Sequence, residues 1–453
     1  MNKFNDFLEN KVMGVAGRVA SQRHLLALRD GMILTMPLVI IGSLFLILSN
    51  LPIPGYSDFM AGIFGDQWAT KLSYPVGVTF DIMALIATFG IAYRLAQSYE
   101  LDALTAGAIS VSAFLLATPF QVGYTPEGQT EAIMVGGAIP TSLMGSRGLF
   151  VGMIIAMLST EIYRWVVKKN FVIRLPDGVP PSVSKSFIAL IPGFFVLTSV
   201  WVIRLIVEQT SFGSLHEVVG KVIGGPLGVL GGSLGGSIVA ELVIVLLWVS
   251  GLHGANIVGG VMAPIWYGAM DENRIAFQNN EALPNIFTQQ FFDNFINVGG
   301  SGATLALVIC MILRARSKQM KQLGRLAAGP SLFNINEPII FGMPVVLNPL
   351  LIIPFILAPV LAVITTYIGM STGLVAKPAG IAVPWTMPPL LSGYLATGGK
   401  ISGAFMQLFN IGMTFLIYYP FFGMWDKMKR KEEDQEFMDT EAGTDRPTNA
   451  VNL

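Results

Sequence analysis

The chain has 453 residues, of which 53% are hydrophobic and only 12% charged, and its formal net charge is zero. An ordinary soluble domain carries about 25% charged residues. A soluble globule with half that complement could not cover its surface, and disorder needs low hydrophobicity. What remains is an all-α polytopic membrane protein. Zero net charge gives no electrostatic case for nucleic acid. The single cysteine, Cys310, lies in an apolar run. It excludes an internal disulfide and a zinc cluster, so no metal is expected. The apolar runs are long rather than short and alternating, which excludes an outer-membrane barrel.

Residues 1–29 carry Phe4, Phe7, Leu8, Val12, Val15 and Val19 at helical spacing, which predicts an amphipathic helix lying in the membrane interface. The first apolar run is too long for a signal peptide and follows a basic leader without a cleavage-type site. A spanning helix needs about 20 mostly apolar residues. On that basis ten spans are predicted, near 31–50, 76–96, 103–120, 142–161, 186–207, 232–252, 255–270, 295–313, 349–369 and 401–423. Segment 162–180 reads as a second interfacial helix. Gly231, Gly232, Gly235 and Gly236 form two Gly-x-x-x-Gly pairs, read as a site of close helix packing. The polar tail, 426–453, is predicted to lack regular structure.

Charge sets the orientation. Segments 1–29, 94–102, 164–185, 314–325 and the tail hold 21 of the 28 Lys and Arg residues. With ten crossings these segments all fall on one side, and the positive-inside rule makes that side, with both termini, cytoplasmic.

Two apolar stretches should not be simple spans. Segment 326–348 contains Pro330, Glu337, Pro338 and Pro344; segment 378–399 contains Pro378, Pro384, Pro388 and Pro389. Proline removes a backbone donor and interrupts a helix. Interrupted backbone at membrane depth is tolerated only inside protein or along a wet cavity. Re-entrant hairpins are the predicted form, and broken segments in transporters commonly build the substrate site.

Three polar features stand out. His253 lies in a Gly-Leu-His-Gly phrase within a run free of full charges. Glu337 is the only charged residue between Arg325 and Lys377, with Asn336 beside it. An intramembrane ionisable group is costly and marks function by default. The third feature is Phe287–Thr304, where Gln289, Gln290, Asp293, Asn294 and Asn297 lead into Gly299-Gly300-Ser301-Gly302. Amides and carboxylates beside aromatic rings suit a sugar, whose hydroxyls need donors and acceptors and whose ring face stacks on an aromatic. Trp385 and Trp266 are the expected platforms. The glycine-rich run is not a phosphate loop, because Gly-Lys-Ser/Thr is missing and no strand precedes it.

The phrase Asn336-Glu337-Pro338-Ile339-Ile340-Phe341-Gly342, followed by Pro344 and Asn348-Pro349, resembles the signature of phosphotransferase-system enzyme IIC sugar permeases. The phrases around His253 and at 299–304 resemble their lactose/cellobiose/diacetylchitobiose branch. The resemblance spans about 30–425. It implies a homodimer of ten-helix subunits in the bacterial cytoplasmic membrane. Residues 30–230 would form the dimerisation half, and residues 231–425 would hold a β-linked disaccharide between re-entrant hairpins. It gives Glu337 and His253 catalytic positions beside the hydroxyl to be phosphorylated. Asn336, Trp385, Asn297, Gly300 and Ser301 become substrate contacts, and no cofactor is expected. The implied phosphoryl donor is a separate enzyme IIB, charged in turn by IIA. Cys310 sits in a predicted span and the tail is too short for a fused IIB domain, so the chain alone should bind and move sugar without phosphorylating it. Composition and topology by themselves also accommodate a proton-coupled sugar transporter, with Glu337 and His253 as a relay, or a non-transporting scaffold.

Overall fold

The computed structural model describes residues 18, 21–49, 51, 55–126, 133–176, 179–343, 345 and 348–444. In the predicted amphipathic helix of residues 1–29, positions 1–17, 19 and 20, with all its apolar positions from Phe4 to Val19, lie outside these, as do Pro344 and residues 445–453.

The described chain is mostly helical. Its principal helices are α1 (Arg23–Ile33), α2 (Met36–Ser49), α3 (Trp68–Phe80), α4 (Met83–Ser98), α5 (Ala103–Ala117), α6 (Leu149–Lys168), α7 (Pro181–Glu208), α8 (Leu234–Val249), α9 (Gly254–Gln278), α10 (Leu305–Arg314), α11 (Lys318–Leu332), α12 (Glu337–Gly342), α13 (Pro349–Ser371), α14 (Leu391–Ala396) and α15 (Ile401–Thr444). Six helical stretches are long and apolar enough to cross a bilayer. A seventh results if Leu215–Gly231 and α8, bent by 83°, count as one. The apolar helices α5 and α10 are shorter. Each interval predicted as a span overlaps one of these helices. Apolar side chains such as Val229, Leu416 and Phe194 stand outward, each more than 60% exposed, as lipid-facing residues do.

In the N-terminal half α1 packs on α4, α2 on α3, and α4 on α5 and α6, with α7 against α5 and α6. In the C-terminal half α8 and α15 pack on α13, and α10 packs on α15 and α11. Helix α9 joins the halves through α1. Small residues set the closest approach. A Cβ on Gly31 would lie 2.4 Å from the Ile91 backbone nitrogen, and one on Gly90 would lie 2.8 Å from the Gly31 carbonyl. The predicted glycine cluster works differently from a straight seam. A Cβ on Gly236 would fall 1.6 Å from the Leu230 carbonyl, so this glycine permits the sharp bend into α8. Gly231 alone of the four packs closely on a neighbouring helix, against Ile265 and Met262 of α9.

A buried ion-pair network also ties the halves. Arg274 on α9 donates to Asp271 at 2.8 Å and to Asp81, at the α3–α4 turn, at 2.9 Å. Ser146 donates to Asp271 at 2.7 Å.

Four local readings are revised. Residues 162–168 are the last turns of α6, and residues 171–176 have no regular structure, so the predicted interfacial helix at 162–180 is absent. An amphipathic helix appears instead as α11. It buries Met320, Gly324, Ala327 and Ser331 at alternating spacings of four and three, while Lys318, Lys321 and Arg325 are exposed. The tail continues α15 as helix through Thr444. Its carboxylates hold it against the start of α11: Asp426 accepts from the Arg316 and Ser317 amides, and Glu433 from the Lys318 and Gln319 amides. These are orphan donors at a helix N-terminus, which favour an anion. Between α5 and α6, Gln121–Tyr124 and Ile133–Gly136 pair antiparallel, with Gln121 opposite Gly136.

Candidate functional site

The two proline-rich segments are interrupted as predicted, and buried side chains satisfy their backbone. In segment 378–399, only α14 is helical. Asn273 donates to the Pro378 carbonyl at 2.7 Å, Ser43 accepts from the Ala382 amide at 2.7 Å, and Gln290 accepts from the Val383 amide at 3.0 Å. Gln407 of α15 does most. Its Oε1 accepts from the Leu390 and Gly393 amides at 2.6 and 2.9 Å; its Nε2 donates to the Asn294 carbonyl and Ser392 Oγ at 2.6 and 2.8 Å. Irregular backbone survives away from water because each polar group finds such a partner.

Segment 326–348 breaks between α11 and α12. Asn334 sits there in the left-handed region at φ 60°. Its Oδ1 accepts from the Gly299 amide at 2.6 Å, and its Nδ2 donates to the Trp385 carbonyl at 2.5 Å. One buried amide therefore links the glycine turn, the break and the second interrupted segment. Asn336 is buried and donates to the Ser301 carbonyl at 2.9 Å. A Cβ on Gly300 would overlap Asn336 at 2.6 Å, and one on Gly302 would overlap the Phe355 ring at 2.2 Å. Both glycines have φ near 90°. Tyr418 donates to the Gly302 carbonyl at 2.7 Å, and Thr304 to the Gly299 carbonyl at 2.6 Å.

Around this scaffold stand the groups that remain accessible. Glu337 opens α12 and is exposed, whereas its neighbour Asn336 is buried. His253 is exposed and caps α9: its Nδ1 accepts from the Asn256 amide at 3.3 Å. A neutral ring whose Nδ1 accepts carries its hydrogen on Nε2, leaving a donor directed elsewhere. The His253 ring lies 4.4 Å from the Trp248 ring, and the charge of Glu337 reaches it. Glu337 thus offers an acceptor and His253 a donor. Trp385 is 43% exposed and lines a cleft with Met36, Tyr267, Gln290, Asp293 and Pro384.

Of the residues singled out from the sequence, the structure brings Asn297, Gly300, Ser301, Asn336 and Trp385 into one connected unit. Asn297 accepts from the Gly300 amide at 2.9 Å and donates to the Phe292 carbonyl at 3.3 Å. Glu337 directly follows Asn336, and His253 caps α9. Trp266 is not a platform: it is 2% exposed and stacked on Phe292 at 4.1 Å. Three contributors were missed. Asn334, Gln407 and Tyr418 act through backbone groups far away in sequence, and only a polar residue inside an apolar run signals them. Glu241, wholly buried in α8 and without a hydrogen-bond partner among the described residues, was passed over because it edges an uncharged run.

The family described as "Phosphotransferase system, EIIC" matches residues 29–359. The chain is similar to the lichenan permease IIC component of Bacillus subtilis (strain 168), 70% identical over 98% of this chain and 99% of that one. It is also similar to the cellobiose-specific EIIC component of Geobacillus stearothermophilus, 63% identical over 96% and 97%. Among solved structures it resembles the transporter ChbC, the IIC component from the N,N'-diacetylchitobiose-specific phosphotransferase system. The TM-score is 0.92 at 60% identity, covering 94% of this chain and 99% of that one.

Proposed function

Because this chain belongs to the family of phosphotransferase-system EIIC membrane proteins, we propose that it carries a β-linked disaccharide of the cellobiose or diacetylchitobiose type and presents one hydroxyl for phosphorylation by enzyme IIB. The observations that carry the reading are an exposed carboxylate, Glu337, beside a turn held by Asn334 and Asn336, and an exposed imidazole, His253, at the start of α9. A sugar hydroxyl there donates to Glu337 and accepts from His253 Nε2–H. Phosphoryl transfer has a loose transition state, so holding the attacking oxygen in line matters more than strong basicity. Glu337 orients the hydroxyl and takes its proton as the new P–O bond forms. The leaving group is the IIB cysteine thiolate. Cys310 cannot serve as that carrier, being wholly buried in α10. Trp385 supplies the stacking face, and Asn297, Gly300 and Ser301 line the polar side. Residues 231–425 form the sugar-binding half and residues 30–230 the homodimer interface, with both termini cytoplasmic.

The test uses inside-out vesicles containing this chain, phosphoenolpyruvate, the general phosphotransferase proteins, a matching IIA and IIB, and a panel of labelled disaccharides. Sugar phosphate formed only with the full set is the expected result and names the sugar. Uptake of unmodified sugar driven by a pH gradient and indifferent to IIB would overturn the reading in favour of a proton-coupled transporter.

A further inference from the structure

A second cleft, of about 380 Å³, opens where α4 ends, beside the last turns of α6 and the start of α1. Its charged and polar lining is Arg23, Ser98, Tyr99, Glu100, Arg164 and Lys168, over an apolar floor of Leu101 and Val167. It shares no residue with the sugar site. Two guanidinium groups face one ring: Arg164 lies 4.0 Å and Arg23 5.2 Å from the Tyr99 centroid. With Lys168 they gather three positive charges around one cleft, a setting that favours an anion. The nearest carboxylate is already occupied. Glu161 accepts from Tyr99 Oη at 2.6 Å, pairs with Arg164 at 3.0 Å and meets His24 Nε2 at 3.0 Å. Among the described residues Arg23 and Lys168 form no ion pair. The remaining lining carboxylate is Glu100, which is exposed. Burial, together with the hydrogen bond to Glu161, holds the Tyr99 hydroxyl above its ordinary range, so the phenol adds no negative charge.

The depth of the cleft is marked independently. Trp165, adjacent to Arg164 on α6, is 51% exposed and packs against Phe171 and Phe195 with ring centroids 6.4 and 6.3 Å away. Exposed aromatic rings at the end of a span mark the headgroup level. The same end of the bundle carries Arg94, Lys169 and Arg174.

We propose that this cleft binds a phosphate-bearing anion. Planar guanidinium forks match phosphate oxygens, and Lys168 adds a point charge. The headgroup of an anionic lipid and inorganic phosphate present this same chemistry, and basic pockets between membrane helices take such headgroups.

The test uses the purified full chain in a maltoside detergent. Retained dioleoylphosphatidylglycerol or dioleoylphosphatidylcholine is counted by native mass spectrometry, and radiolabelled inorganic phosphate by equilibrium dialysis. The expected result is retention of phosphatidylglycerol over phosphatidylcholine, weakened about fivefold for each charge removed in R23Q and K168Q. K169Q, on the same end but outside the cleft, retains it as the unaltered chain does. Phosphatidylglycerol that excess inorganic phosphate does not displace identifies the lipid as the source. Saturable phosphate binding that both substitutions weaken identifies free phosphate. Sugar binding in the same samples reports the fold, and K168Q, at an exposed position, carries the test alone if R23Q fails to fold. Equal binding of both probes by the unaltered chain and the variants overturns the proposal. So does loss of phosphoryl transfer from IIB with both probes still bound, which would make the cleft a protein contact.

Discussion

The chemistry proposed for this protein rests on a few side chains whose neighbours leave them a single task. His253 spends Nδ1 on the α9 amide, so only Nε2–H can face a ligand. Glu337 is accessible while Asn336, one residue earlier, is locked to Ser301. E337Q keeps the shape and loses the ability to take a proton. It should reduce IIB-dependent sugar phosphorylation by about 100-fold or more while leaving membrane insertion intact, checked by product assay on quantified vesicles. Normal product formation would remove Glu337 from the mechanism. In the proposed site Trp385 supplies a stacking face, and aromatic contacts of this kind are worth about 0.5–1.5 kcal/mol beyond simple area. W385A should therefore weaken sugar affinity about three- to tenfold by isothermal titration, with little change in thermal stability because the ring is partly exposed. The Asn-Glu-Pro phrase and the lone histidine were legible in the sequence as ionisable groups in apolar surroundings. The role of Asn334 was not, since its three backbone partners come from segments around 299, 385 and 387.

Among the elements, the two interrupted segments show why an apolar run need not be a helix. Their prolines break the ladder, and side chains from elsewhere replace it. Gln407 alone satisfies two amides, a carbonyl and a hydroxyl. Q407L fills the same space and leaves those groups buried and unpaired, at about 1–3 kcal/mol each. It should lower the melting temperature strongly and abolish sugar binding, measured by thermal unfolding in detergent. An unchanged melting temperature would show that the segment does not depend on this residue. The tail teaches the converse lesson. Read as polar sequence it had no reason to be ordered, yet Asp426 and Glu433 reach the first amides of α11 and carry the helix on. A charge pattern alone does not reveal which helix terminus an acidic residue will meet.

For the molecule as a whole, the proposed orientation rests on the basic segments, of which the start of α1 and the end of α6 meet at one cleft. If both termini are cytoplasmic, a cysteine introduced by Gln435→Cys at its exposed position should react with a membrane-impermeant maleimide in inside-out vesicles and not in right-side-out ones. Cys310, wholly buried, supplies no background. Labelling from the outer side would reverse the topology. The N- and C-terminal halves are held by Arg274, which pairs within α9 and across to Asp81, so any motion of one half against the other must part that second contact.

The sequence by itself determined the membrane class, the approximate positions of the helices and the two broken segments, and it singled out the ionisable residues proposed to carry function. Each of these follows from local composition: apolar length, proline and the cost of charge in lipid. The tertiary structure decided the rest. It joined the turn at 299–302 to Asn334 and Asn336, buried Trp266 and left Trp385 open, and ordered the polar tail. Those outcomes depend on which donors and acceptors from distant segments meet once water is excluded, and no local pattern encodes that pairing.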